Sequence, residues 1–277
     1  MAKDNNMSDL WKRLRFVLVC IIVYRIGTHI PIPGIDPIRV SSLFDQNQGT
    51  ILELFNLFSG GALERMSIFA LNVVPYISAA IIMQLFSNAI PYLIELKKEG
   101  QAGRNAITQY TRYGTVALAF VQASALAVTL SSSGLAYNPG TSFFVTAVFT
   151  VVAGTVFLMW LGEQISERGI GNGISIIIAT SILTGIPGAI GQALEQARQG
   201  DLNILMLLSI GVLAMVVIAI VVFIERGQRR ITVNYAQRQQ GRKLMQAQAS
   251  HLPFKVNMSG VIPAIFASTF LLLSLIH

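Results

Sequence analysis

Apolar residues occur along this chain in long runs that carry almost no charge, separated by short polar segments. A helix needs about 20 predominantly apolar residues to cross a bilayer. The run of fifty residues at 113–162 is long enough for two such helices, because the turn-rich sequence SSSGLAYNPG divides it at 131–140. The pattern therefore predicts seven transmembrane helices, which lie in the runs 16–30, 66–94, 113–162 (two helices), 169–194, 202–224 and 256–277.

The stretch before the second predicted span is too short to cross a membrane. It reads FNLFSGGALERMSIFAL at 55–71, is interrupted by Gly60 and Gly61, and leads into NVVPYISAAIIMQLFSNAI at 72–90, which has no charge. A half-length apolar helix beside a full span predicts a re-entrant element, because irregular backbone at membrane depth occurs only where protein buries it or where it lines a cavity. The alternative is an outer loop that happens to be apolar.

Composition supports an all-α polytopic membrane protein. Hydrophobic residues make up 53% of the chain and charged residues 12%, with a mean hydropathy of +0.61. Average soluble domains carry roughly twice this share of charge. The single cysteine, Cys20, lies in an apolar run, so neither a disulfide framework nor a thiolate metal site is expected. No cofactor is predicted.

Lysine and arginine positions predict the orientation. Sixteen of the twenty basic residues lie in segments that share one side of the membrane if the N-terminus is cytoplasmic, and only Arg39, Arg65 and Arg198 lie on the other side. Cytoplasmic loops carry the excess of positive charge, so the N-terminus is predicted inside. The remaining basic residue, Arg25, lies within the first span, and we expect it to extend toward the outer surface or to pair with a neighbouring helix.

The loop at 225–258 is strongly basic, with seven positive charges against Glu225 alone. Ile231, Val233 and Tyr235 alternate with polar residues, which predicts a short strand. Gln240 and Gly241 predict a turn, so the loop is expected to form a hairpin that projects into the cytoplasm. Such a loop favours RNA phosphates, acidic proteins or anionic lipids as partners. The alternative is positive charge that serves only to set the topology.

Several spans carry side chains suited to close packing or to a shared apolar face. Val73 and Ile77 in the second span, and Ile174 and Ile178 in the fifth, are spaced i, i+4 and so share one helix face each. The alternative is that these residues face lipid or neighbouring helices. Small residues recur in the spans, for example ISAAI at 77–81, and allow helices to approach closely.

Residues for catalysis or solute binding are scarce. The three histidines, His29, His251 and His277, are far apart in the sequence, and no carboxylate lies deep in a predicted span. A proton-coupled carrier therefore has no evident relay, and a membrane enzyme has no catalytic pair. A small-solute transporter or channel subunit would need polar groups at the membrane midplane, which the spans almost entirely lack. A scaffold subunit remains open.

Seven strings spread over nearly the whole chain resemble the SecY family, the central subunits of bacterial protein-conducting channels. They are RIGTHIPIPGID (25–36), LFNLFSGGALERMSIFAL (54–71), PYISAAIIMQL (75–85), KKEGQAGRNAITQYTRYGT (97–115), FLMWLGEQISERGIGNGISIII (157–178), ERGQRRITVNYAQRQQGRK (225–243) and HLPFKVNMSGVIPAIFAS (251–268). The resemblance implies a fold of ten helices in two pseudo-symmetric halves, of which this chain carries seven. It divides the chain into an N-terminal half at 1–190 and the start of a C-terminal half at 191–277.

The resemblance also implies roles for particular residues. A plug from about residue 58 to residue 71 is expected to close the external funnel, with Phe58, Ser59, Gly60, Gly61, Ala62, Leu63, Ser67, Ile68 and Phe69 as its residues. An apolar pore ring is expected from Val73, Ile77, Ile174, Ile178 and Ile265. The basic loop is expected to dock the ribosome and the SecA motor through Arg229, Arg230, Arg238, Arg242 and Lys243.

Partners and location follow from the same resemblance. It implies a complex with SecE and SecG, contact with SecA, ribosomes, signal sequences, nascent polypeptides and anionic lipids, and a place in the bacterial inner membrane. A lateral gate is expected between the second and third spans on one side and, on the other, the seventh span with the helix after it. Two departures are noted: Val73 stands where isoleucine is common, and the sequence ends at His277 within the seventh span. On this basis a truncated product or incomplete gene copy is expected, which would not form a sealed channel.

Overall fold

The structure, a computed structural model, describes residues 3–36, 39–42, 56, 59–199, 203–233, 239–240, 243–244 and 250–255. Helices dominate it. The helices are α1 (Lys3–Gly27), α2 (Val74–Ala89), α3 (Pro91–Lys98), α4 (Gln101–Ser132), α5 (Thr141–Arg168), α6 (Gly173–Gln199) and α7 (Ile204–Arg226). Four short strands follow: β1 (Gln228–Val233), β2 (Gln239–Gln240), β3 (Lys243–Leu244) and β4 (Ser250–Lys255).

The second predicted span is shorter and more bent than the sequence suggests. It begins at Val74 rather than at residue 66, with Pro75 in its first turn, and it ends at Ala89. The chain then turns by 94° into α3, which has Pro91 in its first turn. A proline has no N–H and clashes with the preceding turn, so it begins a new helix more easily than it continues one. The second span, predicted to lie in the run 66–94, is therefore a bent pair of helices.

The third and fourth predicted spans form a long helical pair. Helix α4 has 32 residues and α5 has 28, and the connection between them falls within the turn-rich segment at 131–140. Both helices extend beyond the apolar runs, so most of the polar segment at 95–112 is helical. Helix α2 packs on α4, α4 packs on α5, and α1 packs on α5.

Apolar length identifies the membrane helices among the described residues. Helices α4, α5, α6 and α7 are each long and apolar enough to cross a bilayer, and the bent pair α2–α3 gives a fifth crossing if it counts as one span. Helix α1 covers residues 16–27 of the first predicted span and is not among these strongly apolar helices. The seventh predicted span, at 256–277, lies outside the described residues. A chain with these helices is a multi-pass membrane protein.

The basic loop after α7 forms the predicted hairpin. Strands β1 and β4 are antiparallel over six residue pairs, from Gln228 opposite Lys255 to Val233 opposite Ser250. Nearer the tip, Gln239 and Gln240 pair with Leu244 and Lys243, which leaves two residues, 241 and 242, between the strands. Gln240 is the last residue of β2, and Gly241, the other residue of the predicted turn, lies outside the described residues.

The chain divides into two compact units, residues 1–190 and 191–277. The first unit has two apolar cores. One lies between the end of α4 and the start of α5 and includes Leu130, Phe143 and Val148. The other lies among α1, α5, α6 and the start of α2 and includes Tyr24, Leu158 and Ile177. The second core surrounds the candidate site.

Candidate functional site

Residues 59–73, named here the turn segment, contain most of the predicted plug. The sequence predicts a short helix here, but the structure has a series of turns. Gly60 and Gly61 have φ angles of +67° and +78°, and Met66 and Asn72 have φ angles of +42° and +48°. Left-handed residues interrupt a right-handed helix, so the prediction of a plug helix is corrected to turns within the described residues.

Backbone hydrogen bonds tie the turn segment to the chain that follows α1. Ile32 N–H donates to the carbonyl of Met66 at 2.8 Å, and Ile68 N–H donates to the carbonyl of Ile30 at 2.9 Å. These two bonds flank an antiparallel bridge between Pro31 and Ser67. Ser67 is fully buried. The irregular backbone is thus buried in protein, which is the condition for its presence at membrane depth.

An aromatic row holds the centre of the turn segment between α1 and α5. The Phe69 ring stacks against Tyr24 of α1 at a centroid distance of 6.0 Å and against Phe157 of α5 at 5.9 Å. Next to it, Gly154 of α5 lies so close to the Ile68 carbonyl that a Cβ there would overlap it. The missing side chain lets the turn segment rest directly on the α5 backbone.

Two neighbouring side chains of α1 hold two neighbouring carbonyls of the turn segment. The Tyr24 hydroxyl donates to the Ser59 carbonyl at 3.2 Å, and the Arg25 guanidinium donates to the Gly60 carbonyl at 3.1 Å. The expectation that Arg25 extends outward or pairs with a helix is corrected, because its described partner is the turn segment. The sequence offered one signal for this contact, which is the charge itself within a span.

Polar contacts also reach α6 and the far end of the turn segment. The oxygens of Tyr24 and Ser181 lie 2.6 Å apart, and the Asn72 amide donates to the Ser181 hydroxyl at 3.2 Å. All three side chains are buried. None of these contacts could be read from the sequence, since 157 residues separate Tyr24 from Ser181.

His29 is exposed and continues the polar contacts beyond Arg25. Its Nδ1 lies 2.8 Å from the Arg25 carbonyl, and its Nε2 lies 3.3 Å from an Arg65 nitrogen. Because arginine only donates, Nε2 is the acceptor there and Nδ1 carries the proton. His29 therefore supports the turn segment through Arg65.

Four of the five predicted pore-ring residues meet in one apolar cluster. Val73 is buried, and Ile77, Ile174 and Ile178 pack partly buried around the same core as Phe69. The two pairs come from the start of α2 and the start of α6, so the helix faces predicted from i, i+4 spacing point to one place. The fifth residue, Ile265, lies outside the described residues, as does the plug residue Phe58.

The remaining predicted plug residues are distributed between the two cores. Ala62, Ile68 and Phe69 belong to the core that contains the ring residues. Leu63 packs with Met66 against the other core, between α4 and α5. The turn segment therefore contacts both cores of the first unit.

An ion pair links α4 and α5. The Arg112 Nε lies 2.7 Å from a carboxylate oxygen of Glu163, and the carboxylate is largely shielded. The two residues are 51 positions apart in the sequence, so the pair joins α4 to α5 directly. The sequence places both residues at predicted span ends but not beside each other.

The basic residues predicted for docking are only partly described. Arg229 is exposed on β1 opposite Phe254 of β4. The backbones of Arg230 and Lys243 lie in β1 and β3. Arg238 and Arg242 lie outside the described residues. Among the residues that the structure describes, no three histidine, cysteine or acidic side chains form a group that could hold a metal ion.

Comparison with known proteins gives consistent results. The SecY family model matches residues 67–276. The chain is 64% identical to the protein translocase subunit SecY of Pseudomonas aeruginosa over 97% of its own length and 61% of that protein. It is 58% identical to the same subunit of Escherichia coli K12 over 98% of its own length and 62% of that protein. The chain thus spans about three fifths of the length of these two relatives.

Solved structures give the fold. A protein-conducting channel matches with a TM-score of 0.66 at 21% identity, covering 94% of this chain and 56% of that one. Sec61 from a canine ribosome–channel complex matches with a TM-score of 0.65 at 19% identity, with the same coverage. The overall fold of this chain is therefore that of the SecY and Sec61 channel structures.

Proposed function

Because this chain belongs to the SecY family, we propose that it is the pore-forming subunit of a protein-conducting channel. The channel passes unfolded secretory polypeptides across a bacterial inner membrane and releases membrane segments sideways into lipid. The observation that carries the proposal is the meeting of four branched apolar side chains with a buried turn segment. This site holds no catalytic constellation, so we assign transport rather than catalysis to it.

The apolar cluster suits a gate for polypeptides. Val73, Ile77, Ile174 and Ile178 are branched hydrocarbons, which close a narrow passage by excluding water. They offer no ligand to an ion and no hydrogen bond to a passing peptide backbone. We assign Ile265 to the same ring by the family resemblance alone.

The turn segment suits a plug. It is anchored by bonds that can be broken singly, including the two hydrogen bonds to Ser59 and Gly60 and the two backbone bonds beside Ser67. Its irregular backbone makes few helical bonds of its own, so its displacement does not unfold a helix. Of the predicted plug residues, those from Ser59 to Leu63 and from Ser67 to Phe69 lie in this segment.

The basic hairpin is assigned to docking of the ribosome and of a SecA motor. Strands β1 and β4 pair antiparallel over six residue pairs, so the backbone that carries Arg229 and Arg230 has a fixed conformation. Phosphate contacts by arginine and lysine would carry the affinity for ribosomal RNA. Arg229, Arg230, Arg238, Arg242 and Lys243 are the residues assigned to this role.

The partners, location and orientation are proposed on the same basis. We propose a complex with SecE and SecG in the inner membrane, a cytoplasmic N-terminus, and contact with signal sequences, nascent chains and anionic lipids. The strongly unequal distribution of basic residues supports this orientation. A small-solute transporter is the weaker alternative, because the buried polar side chains Tyr24, Asn72 and Ser181 bind one another and the turn segment.

Protein translocation into vesicles tests the proposal. Inverted membrane vesicles would carry this chain, continued by the last three helices of the family, as their only SecY-type subunit, because the 277 residues alone are not expected to form a sealed channel. A radiolabelled secretory precursor would be added with ATP and a SecA motor. We expect part of the precursor to become resistant to external protease. Vesicles that hold the protein at normal levels, take up no precursor, and instead accumulate a small solute would favour the transporter.

A further inference from the structure

The contact between Tyr24 and Ser181 has more hydrogen-bond acceptors than protons. Each hydroxyl carries one proton. Four acceptors are in reach. The two hydroxyl oxygens lie 2.6 Å apart, and either can accept from the other. Tyr24 also reaches the Ser59 carbonyl at 3.2 Å, and Ser181 also reaches the Ile177 carbonyl at 2.9 Å. The pair therefore has two alternative arrangements of its protons.

In the first arrangement, the hydrogen bonds run through the turn segment from end to end. The Asn72 amide donates to Ser181, Ser181 donates to Tyr24, and Tyr24 donates to the Ser59 carbonyl. Asn72 and Ser59 are the two ends of the turn segment, so both ends are fixed through one buried pair of hydroxyls on α1 and α6. Hydrogen bonds in such a chain strengthen one another.

In the second arrangement, the pair needs nothing from the turn segment. Tyr24 donates to Ser181, and Ser181 donates to the Ile177 carbonyl on its own helix. Both hydroxyls keep a partner, although the Ser59 carbonyl has left. Burying a hydroxyl without a partner is costly, and this arrangement avoids that cost after the segment moves away.

We propose that Tyr24 and Ser181 form a two-position hydroxyl latch that holds the turn segment in its buried place and pairs with itself when the segment leaves. The role depends on the proposed function, in which the turn segment acts as a plug. Packing leaves the segment little freedom while the latch is closed, since Gly60 lies against the Ser181 backbone and Thr184 with no space for a side chain. Tyr24 and Ser181 are positioning residues, and neither contacts a transported chain in this account.

The latch predicts unequal effects for its two members. Tyr24→Phe removes the bond to Ser59 but leaves Ser181 bonded to Ile177 in either state, so only the buried position of the segment is weakened. Ser181→Ala weakens the buried position too, yet it also deprives Tyr24 of its acceptor once the segment has left. The first loss favours release of the turn segment and the second disfavours it. Ser181→Ala should therefore release the segment less than Tyr24→Phe does. A purely structural role for the two hydroxyls predicts no such order.

Thiol labelling of the turn segment tests the latch. Ser67→Cys places a near-isosteric thiol at a fully buried position of the segment, in a Cys20→Ala background that removes the chain's one cysteine. A water-soluble maleimide is added to permeabilised cells that hold the protein in its membrane, without a translocating substrate. The labelling rate then measures release of the turn segment, whether or not the protein conducts polypeptides. A failure of the proposed function would instead appear in the vesicle assay, so the two results can be told apart.

We expect Tyr24→Phe to raise the labelling rate on the order of fivefold, as the loss of one buried hydrogen bond implies. Ser181→Ala is expected to raise it less. The matched control is Thr180→Ala on the same helix, whose hydroxyl bonds only the Ile176 carbonyl of α6, and it should leave the rate unchanged. An unchanged rate in Tyr24→Phe would overturn the latch, as would a rise in Ser181→Ala that equals or exceeds it.

Discussion

Gly154 on α5 lies directly against the carbonyl group of Ile68, and no side chain fits between the helix and the turn segment at this point. The contact occurs beside the stacked rings of Phe69 and Phe157. Helix α5 thus supports the backbone of the turn segment, while α1 supports its side chains and carbonyls. A single methyl group at residue 154 would have to displace one of these partners.

Gly154→Ala is therefore expected to shift the turn segment from its buried position. Overpacking of this kind costs about 1–3 kcal/mol. The measurement is maleimide labelling of a Ser67→Cys thiol, which should become faster. Gly188→Ala on α6 is the matched control, because no atom lies within 4 Å of a Cβ built there. Equal labelling in both variants would show that the segment does not rest on α5.

Ile178 contributes to the apolar cluster, and a polar side chain there should admit water and ions. Ile178→Asn is expected to increase the ion conductance of the resting channel in a planar bilayer, because a hydrophobic constriction closes by excluding water. Leu183→Asn makes the same change at an exposed position of α6 and should leave the conductance low. A leak of similar size in both variants would argue against a gate at Ile178.

The charged residues of the hairpin should act through nucleic-acid phosphates. Arg229→Ala removes one exposed charge of β1 and is expected to weaken ribosome binding and to reduce the slope of log affinity against log salt by about one. The binding of purified ribosomes to vesicles at several salt concentrations measures both quantities. Lys97→Ala, at the end of α3, serves as the control of equal charge. An unchanged slope in Arg229→Ala would remove this residue from the docking surface.

The ion pair between Arg112 and Glu163 should make only a modest contribution to stability. The arginine is nearly half exposed, so solvent screens much of the attraction, and pairs of this kind are worth about 1 kcal/mol or less. Glu163→Gln is expected to lower the thermal unfolding temperature slightly at low salt and hardly at all at high salt. The double exchange Arg112→Glu with Glu163→Arg keeps an ion pair and should bring the unfolding temperature back to its original value. If Glu163→Gln lowered the unfolding temperature strongly even at high salt, the carboxylate of Glu163 would stabilise the fold by more than charge attraction, which would contradict this account.

Local patterns predicted much of this fold, because its elements depend on neighbouring residues. The charge-free runs identified the helices α4, α5, α6 and α7, and the alternation at Ile231 and Val233 identified a strand of the hairpin. The i, i+4 spacing predicted the pairs Val73–Ile77 and Ile174–Ile178 as helix faces, and only the family resemblance predicted that the two faces meet. Periodicity shows which side of a helix is apolar but not what lies opposite.

The features that the sequence missed depend on contacts over long distances in the chain. The bond between Tyr24 and Ser181 and the support of Ile68 by Gly154 join distant elements. The turn segment was predicted as a helix because its composition is apolar, whereas the left-handed conformations of Met66 and Asn72 depend on the surrounding helices. Likewise, the charge-free run before residue 94 did not predict the 94° bend that follows Ala89.

Site-specific photocrosslinking at Ile178 tests most directly the central claim that polypeptides pass through the apolar cluster. A photoreactive amino acid replaces Ile178, and a secretory nascent chain is stalled on ribosomes bound to membranes that contain the protein. The account predicts a crosslink to the nascent chain from Ile178 and none from the exposed position Leu183. A crosslink from Leu183 alone, or from neither position while the ribosome remains bound, would contradict it.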